Sequence, residues 1–497
     1  MIRYLKVILW DEEIGRLAWD ERRRMTYFMY NPDFVRRGIE VSPLAAPTGS
    51  FGALSPVWGE DSRLYQKLPA FLSDSLPDSW GNRLFELWRQ QNHLSSSEIT
   101  PLDKLAFIGK RGMGALEFHP EYSRERSLGR IDIKSLSDLA AKVFSQREEA
   151  VIPEDETVTM QSLLTVGTSA GGRQPKAIIA VNRQSGEVRS GQIGGLADFD
   201  YYLLKFGNSQ YCSAELEMTY YELALSSGIN MMPSKLYAVD GNSHFMTRRF
   251  DRVDGRKLHT QTLAAISPGT DSYEGLIAVC RSLRLPESDC VEVFRRMVFN
   301  ILANNTDDHN KNFAFTMTRD GVWRLSPAYD ITYIINDGGF LPNEEHCLSI
   351  RAKSRDVTLE DVLQFARDNG IRRPQPIIRR VADSLLRFRE TASRCGVSES
   401  WTGRVEAAIF SHLKSWELLG GGTGGKDSFT VGGHTVEAPR LEQAYKGNYH
   451  LVATVDGRER KFVISANKAE YAVIEKAGMN NITSPQLLAM IEKYLLK

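Results

Sequence analysis

The chain has 497 residues, 42% of them hydrophobic and 25% charged, which is typical of a globular protein too long for a single core. Lys plus Arg and Asp plus Glu are equal at 62 each, so no net charge draws the chain to nucleic acid or to an anionic membrane. Five scattered cysteines argue against a disulfide framework, and the sequence shows neither an export signal nor a long apolar run, which predicts a cytoplasmic protein without a membrane span.

The first 125 residues alternate strand-like and helical patterns and predict a small subdomain of mixed structure. The predicted strands cover residues 4–10, 16–19 and 26–30, and a predicted helix covers residues 80–91. A polar, charged helix is predicted within residues 131–150, followed by a solvated connector.

In residues 157–250 a lysine stands near the end of an otherwise apolar strand. Strands are predicted at 176–181 and 201–206, and a helix at 214–226. Lys205 is costly to bury at such a place unless an anion neutralises it. Glu217 on the following helix is a natural partner, and a Lys–Glu pair that holds the α- and β-phosphates recurs in kinases. The alternative is that Lys205 extends from the strand end into solvent.

A run of small residues directly precedes the strand that begins at Lys176. Its side chains would let backbone N–H groups approach phosphate oxygens, which makes Ser169, Ala170, Gly171 and Gly172 candidate nucleotide contacts. The run is not a Walker A loop, because no Gly-Lys-Ser/Thr ends it and a strand follows it. The alternative is a plain flexible turn.

A polar cluster follows a predicted buried helix in the mostly helical segment 260–415. The helix is predicted over 291–302, the cluster is Asn-Thr-Asp-Asp-His-Asn-Lys-Asn, and a predicted hairpin then leads to Asp330. Asp307, Asn312 and Asp330 would supply a carboxylate to orient an attacking hydroxyl and two oxygen ligands for Mg²⁺, which predicts phosphoryl transfer from ATP. The alternative is that these residues only form turns or cap a helix.

A glycine-rich linker precedes a last segment whose role the sequence leaves open. Strands are predicted there at 449–455 and 461–465, and helices at 467–477 and 484–496. Together the elements predict an α+β chain with a two-lobed, protein-kinase-like fold. Its parts are an N-terminal α/β subdomain (1–125), a small lobe (150–255), a helical large lobe (256–418), the linker (419–426) and a small α+β appendage (427–497).

Taken in order, these motifs resemble the HipA family, the serine/threonine kinase toxins of bacterial toxin–antitoxin pairs. The resemblance covers residues 1–415 and includes Leu76-Pro77-Asp78-Ser79-Trp80-Gly81, Gly112-x-Gly114-Ala115, the Gly172-x-Gln174-x-Lys176 core, Lys205, Glu217, Arg249-Phe250-Asp251-Arg252, residues 306–312 and Tyr329-Asp330-Ile331. The polar loop of this chain lacks the His-Arg-Asp tripeptide of eukaryotic-like kinases.

The resemblance implies a role for each matching residue. Asp307 would be the catalytic carboxylate, Asn312 and Asp330 the magnesium ligands, and Lys205 the contact to the ATP phosphates with His309 beside them. Residues from Arg248 to Phe250 would supply hinge contacts, although Arg248 stands where the family usually has an acidic residue. Ser169 matches the serine that family members autophosphorylate, with Thr168 as the neighbouring alternative. Asp308 would either add a magnesium ligand or cap the loop.

The resemblance also implies partners. These are a helix-turn-helix antitoxin of the HipB type, through which the chain would meet DNA indirectly, and a protein target such as an aminoacyl-tRNA synthetase or a translation factor. Two other interpretations stay open: a small-molecule kinase of similar fold, since fold does not determine substrate, and a nucleotide-binding co-repressor without catalysis.

Overall fold

The computed structural model describes most of the chain. The chain divides into two compact units, Met1–His412 and Leu413–Lys497. The described residues are 2–50, 52–58, 63–122, 131–145, 162–164, 166–167, 174–192, 196, 198–334 and 345–419, with the backbone of four strands between 428 and 464. The predicted nucleotide contacts Ser169, Ala170, Gly171 and Gly172 lie outside them, as do Thr168 and the two predicted C-terminal helices.

The N-terminal part contains an antiparallel sheet in the order β3-β2-β1-β4. Its strands are β1 (Tyr4–Leu9), β2 (Glu12–Asp20), β3 (Met25–Tyr30) and β4 (Leu116–His119), and its helices are α1 (Pro32–Val35), α2 (Ala70–Ser73), α3 (Ser79–Gln91), α4 (Pro101–Ile108) and α5 (Ile133–Ser145). The buried Leu5, Val7 and Leu9 alternate with residues that are more exposed along β1, so one face of the strand is buried. Helix α3 begins where the Asp78 side chain accepts a hydrogen bond from the Gly81 N–H.

The small lobe is a five-stranded antiparallel sheet with one helix. Its elements are β5 (Lys176–Asn182), β6 (Val188–Ser190), β7 (Phe199–Lys205), α6 (Ser213–Ser226), β8 (Ser234–Val239) and β9 (Asn242–Arg248), with the sheet order β6-β5-β7-β9-β8. Lys176 lies directly opposite Lys205 in the β5–β7 register. Leu84 of α3 and Leu136 of α5 share one apolar core with Leu204, so the N-terminal helices cover a face of this sheet.

The large lobe combines helices with a small sheet. Its elements are β10 (Arg252–Val253), β11 (Arg256–Lys257), β12 (His259–Thr262), α7 (Leu263–Ile266), α8 (Tyr273–Ser282), α9 (Glu287–Leu302), β13 (Ala314–Met317), β14 (Trp323–Leu325), α10 (Leu359–Asp368), α11 (Pro374–Leu385), α12 (Phe388–Cys395) and α13 (Glu399–Ser415). Helix α9 is buried over most of its length and ends just before the polar cluster. Strands β13 and β14 form the predicted hairpin.

The last four strands form an antiparallel meander within the second unit. They are β15 (Ser428–Val431), β16 (His434–Gln443), β17 (Tyr449–Val455) and β18 (Arg458–Ile464), in sequence order across the sheet. The sequence predicts only β17 and β18, so β15 and β16 are additions. Gly432-Gly433 between two β-prone runs is the hairpin signal that would have found them.

All five cysteines lie in described residues, and none forms a disulfide. Within the described residues, no helix combines the length and apolar character that a membrane crossing requires.

Candidate functional site

The buried amine of Lys205 contacts two carboxylates that come from different lobes. Lys205 Nζ lies 2.6 Å from Glu217 Oε1 and 2.5 Å from Asp330 Oδ1. The sheet places Lys205 at the end of β7, α6 supplies Glu217, and the segment after the β13–β14 hairpin supplies Asp330. We call these three residues the cleft cluster. The structure therefore brings together the lysine, its expected partner and the expected metal ligand.

The charges of the cleft cluster stabilise one another against burial. Burial would lower the pKa of Lys205, but Asp330 and Glu217 raise it above its ordinary value. Burial opposes ionisation of Asp330, yet the Lys205 charge holds the pKa of Asp330 below its usual range. Burial raises the pKa of Glu217, with Lys205 opposing the shift. At neutral pH Lys205 is thus a cation and Asp330 an anion.

Asp330 adopts a backbone conformation that few residues other than glycine occupy. Its φ angle is +56°, in the left-handed region. Asp tolerates this region better than most residues, and conformations of this kind cluster at functional sites because the surrounding structure must enforce them. The stacked rings of the neighbouring Tyr329 and of Phe250, with centroids 5.6 Å apart, help to fix this segment.

The polar loop after α9 is held together by its own side chains. Asn312 Nδ2 donates to the Asp307 carbonyl at 2.7 Å, and the Lys311 N–H donates to His309 Nδ1 at 3.2 Å. His309 Nε2 lies 3.8 Å from Asp307 Oδ1. The Asp307 side chain is 47% exposed, so it is accessible to a hydroxyl group of another molecule.

A small cavity joins this loop to the segment that carries Asp330. It is lined by residues that include Asn300, Asn305, Asp308, Asn312, Tyr329 and Asp330. Asn312 and Asp330 therefore face a common space. An amide oxygen and a carboxylate are the kind of ligands that Mg²⁺ prefers, so this pair fits a magnesium ion.

The predicted hinge residues have other partners among the described residues. Arg248 Nη2 donates to Asp200 Oδ1 at 3.0 Å, and the Arg248 N–H donates to the Pro233 carbonyl. Asp251 accepts from both Arg249 and Arg252, and these three residues, which we call the sealed cluster, are almost completely buried. Burial opposes ionisation of Asp251, but the two guanidinium groups hold its pKa far below the usual range.

The sealed cluster also binds the N-terminal subdomain. The Gly114 N–H donates to Asp251 Oδ2 at 2.7 Å, and Arg252 donates to the Gly112 and Gly114 carbonyls. Gly114 has φ +72°, and a Cβ there would lie 3.0 Å from the Thr260 nitrogen, so only glycine fits this approach. The Gly112-x-Gly114 motif is thus a docking element.

A second ion pair beside the cleft was not predicted. Lys176 Nζ lies 3.1 Å from Asp78 Oδ2, and the Lys176 carbonyl accepts from Trp80 Nε1. Burial lowers the pKa of Lys176, with Asp78 opposing the shift. The available signals were a lysine at the start of an apolar strand and an aspartate that begins a helix. Gln174 of the same motif donates to the Phe206 carbonyl.

Comparison with known proteins places most of the chain in one family. The model of the HipA-like C-terminal domain matches residues 168–389, and the model of the HipA N-terminal domain matches residues 5–119. A solved complex of HipA, HipB and operator DNA from Shewanella oneidensis MR-1 contains a chain with TM-score 0.58 and 18% identity, covering 83% of this chain and 97% of that one. This likeness shows the mixed, protein-kinase-like fold predicted from the sequence.

Two further proteins are more distant. Y4mE of Sinorhizobium fredii, provisionally named a kinase, is 20% identical over 190 residues, which are 35% of this chain and 44% of that protein. The chain thus matches less than half the length of this relative. The proinflammatory kinase CtkA of Helicobacter pylori has TM-score 0.33 and 10% identity, covering 44% of this chain and 89% of that one. On the two domain models and the fold, the chain belongs to the HipA family.

Proposed function

We propose that this chain is an ATP-dependent protein kinase that transfers the γ-phosphate to a serine or threonine, as a toxin of a toxin–antitoxin pair. The observation that carries the proposal is the contact of Lys205 with both Glu217 and Asp330 beside a cavity that Asn312 also lines. The amide of Asn312 and the carboxylate of Asp330 line one space, and the Lys205 cation contacts Asp330 beside it; these are the groups that a triphosphate and its metal ion need.

In this mechanism each residue has one task. Asp307 binds the acceptor hydroxyl and takes its proton, which its exposed carboxylate allows. Lys205 binds phosphate oxygens while Glu217 holds its amine in place. Asn312 and Asp330 would hold Mg²⁺, which when bound would neutralise charge on the phosphates. His309, beside Asp307, would lie near the same phosphates.

The remaining parts of the proposal rest on the family. Arg248 and Phe250 would contribute hinge contacts to the nucleotide through backbone groups, which need no particular side chain. Ser169, with Ala170, Gly171 and Gly172, would form the phosphate-binding loop that is modified at Ser169 or Thr168. A HipB-like antitoxin is the proposed partner, because the Shewanella HipA was solved with HipB and operator DNA. An aminoacyl-tRNA synthetase or a translation factor is the proposed class of target.

The test is the substitution Asp307→Asn, which removes the proton acceptor and keeps the shape. Phosphate transfer from γ-labelled ATP should fall by at least about 100-fold, the usual scale for a lost general base, while Mg-ATP affinity changes by less than about threefold. Asp320→Asn at the exposed turn of the hairpin is the matched control and should retain full transfer. Undiminished transfer by Asp307→Asn would refute the assignment.

The proposed modification has its own measurement. Protein purified from cells should carry one phosphate in the peptide that contains Ser169 and Thr168, and the Asp307→Asn variant should carry none. Intact mass and peptide mapping decide between the two hydroxyl groups. An unmodified wild-type peptide in cells would contradict autophosphorylation at this loop.

A further inference from the structure

Asp308, next to the proposed catalytic Asp307, has a completely buried side chain that accepts three hydrogen bonds. The donors are Tyr273 OH at 2.7 Å and His346 Nδ1 at 2.9 Å, both to Oδ2, and the Cys347 N–H at 2.8 Å to Oδ1. For His346 to donate to this carboxylate oxygen, the His346 Nδ1 atom must carry a proton. A buried charge needs such donors, because their loss would leave it uncompensated.

The hydrogen bonds continue from Asp308 to the end of helix α9. Asn300 Nδ2 donates to Tyr273 OH at 2.9 Å, and Asn305 Nδ2 donates to Asn300 Oδ1 at 2.9 Å. Because Tyr273 donates its proton to Asp308, its oxygen is free to accept from Asn300. Each hydrogen bond thus determines which atom donates in the next one. Through these bonds the polar loop after α9 is connected to α8 and to residues 346–347.

This network separates the two neighbouring aspartates. The side chain of Asp308 is 0% exposed, whereas that of Asp307 is 47% exposed. In addition, Asn312 holds the Asp307 carbonyl, so the peptide between the two aspartates is fixed on both sides. With the Asp308 carboxylate anchored in the interior, rotation of this peptide would break three hydrogen bonds, and the Asp307 carboxylate stays directed outward.

We propose that Asp308, held by Tyr273 and His346, is a positioning residue that fixes the orientation of Asp307 and is not a magnesium ligand. The inference rests on the proposed function, since it assigns the support of the same carboxylate. It decides between the two roles that the sequence left open for Asp308. Positioning has a large effect on rate, because displacement of a reacting group by about 1 Å costs on the order of 100-fold.

The sharpest test uses two substitutions of His346. In His346→Asn the side-chain amide nitrogen replaces Nδ1 and still donates to Asp308, whereas His346→Leu fills similar space without a donor. Tyr273→Phe removes one oxygen atom and serves as a second, milder variant. The measurements are kcat and KM for ATP in phosphate transfer, Mg-ADP affinity by calorimetry, thermal stability, and deuterium exchange of the amides in residues 307–312.

We expect His346→Leu to lower kcat about 10- to 100-fold and Tyr273→Phe to lower kcat by a smaller factor, with KM for ATP and Mg-ADP affinity within about twofold of wild type in both. Amides of residues 307–312 should exchange faster. His346→Asn should recover kcat to within about threefold of wild type, and Asp320→Asn should change nothing. Should His346→Leu fold and show unchanged kcat, or should Asn and Leu lower kcat equally, the positioning role is wrong.

The metal-ligand alternative has a separate signature. If Asp308 bound magnesium, Asp308→Asn would raise the Mg²⁺ concentration needed for half-maximal Mg-ADP binding about tenfold or more, while Tyr273→Phe would leave it unchanged. We expect the requirement to stay within about twofold in both variants. Absence of transfer in the wild-type protein would instead refute the proposed function, and deuterium exchange would still test whether Tyr273 and His346 order the loop.

Discussion

Two buried clusters of charged side chains lie at opposite ends of the paired strands β7 and β9. They differ in the groups that surround their charges. In the sealed cluster one carboxylate, Asp251, meets two guanidinium groups and the Gly114 N–H. In the cleft cluster one amine, Lys205, meets two carboxylates, and the side chain of Asp330 remains 28% exposed. Protein groups thus donate to both oxygens of Asp251 in the first cluster, whereas Asp330 of the second lines a cavity that Asn312 also lines.

The comparison shows why burial and charge alone do not identify a functional site. Both clusters contain residues of the family motifs, and both shift the pKa of an aspartate downward. The difference lies in the surroundings of the aspartate. A backbone N–H of the N-terminal subdomain binds Asp251, whereas Asp330 borders a cavity. We therefore expect substitutions in the sealed cluster to affect stability and substitutions in the cleft cluster to affect activity.

The largest effect is expected for Asp251→Ala. It leaves Arg249 and Arg252 buried without their carboxylate, and removal of one partner of a buried pair costs about 3–5 kcal/mol. Urea unfolding monitored by circular dichroism measures the loss of unfolding free energy. Asp138→Ala on the exposed face of α5 is the control and should change it by less than about 0.5 kcal/mol. Equal stability of the two variants would show that the cluster does not hold the subdomain.

Lys205→Met should mainly lower activity. Loss of one preorganised charge at a phosphate lowers turnover by about 10²- to 10³-fold. Glu217 can respond by taking up a proton, since burial already raises its pKa, so stability should fall less than in Asp251→Ala. The double variant Lys205→Met, Glu217→Gln should regain most of the lost stability and none of the lost transfer. Recovery of transfer in the double variant would contradict a phosphate role for Lys205.

The sequence predicted the parts of the cleft cluster because the signals are local. Lys205 is the last residue of β7, and Glu217 lies near the start of the next long helix, α6. Asp330 follows a recognisable hairpin. The orientation of Asp308 could not be predicted, because its three donors are 35, 38 and 39 residues away along the chain. For the same reason the sequence did not reveal the sealed cluster, since its partner Gly114 is 137 residues from Asp251.

A smaller effect on the free energy of unfolding is expected when the pH is lowered. The pKa of Asp251 in the folded protein is below that in the unfolded chain, about 3.9, so the unfolded chain binds more protons near that pH. The stabilisation is therefore complete above about pH 4 and is lost as the pH falls below it. Between pH 6 and pH 2.5 the unfolding free energy measured with urea should fall by about 1–2 kcal/mol less in Asp251→Asn than in wild type. Parallel curves would mean that another group controls acid unfolding.

The smallest effect on stability or nucleotide binding is expected for Arg248→Ala. Arg248 is the last residue of β9 and lies between the two clusters. Its guanidinium is 39% exposed and paired with Asp200, and an exposed pair of this kind contributes at most about 1 kcal/mol. Its N–H is bonded to the Pro233 carbonyl, so both of its donor groups already have protein partners. Mg-ATP affinity by calorimetry should therefore change by less than about threefold. A loss of Mg-ATP affinity beyond about tenfold would show that the Arg248 side chain contacts the nucleotide. Arg248 would then belong with the cleft cluster, whose substitutions affect activity.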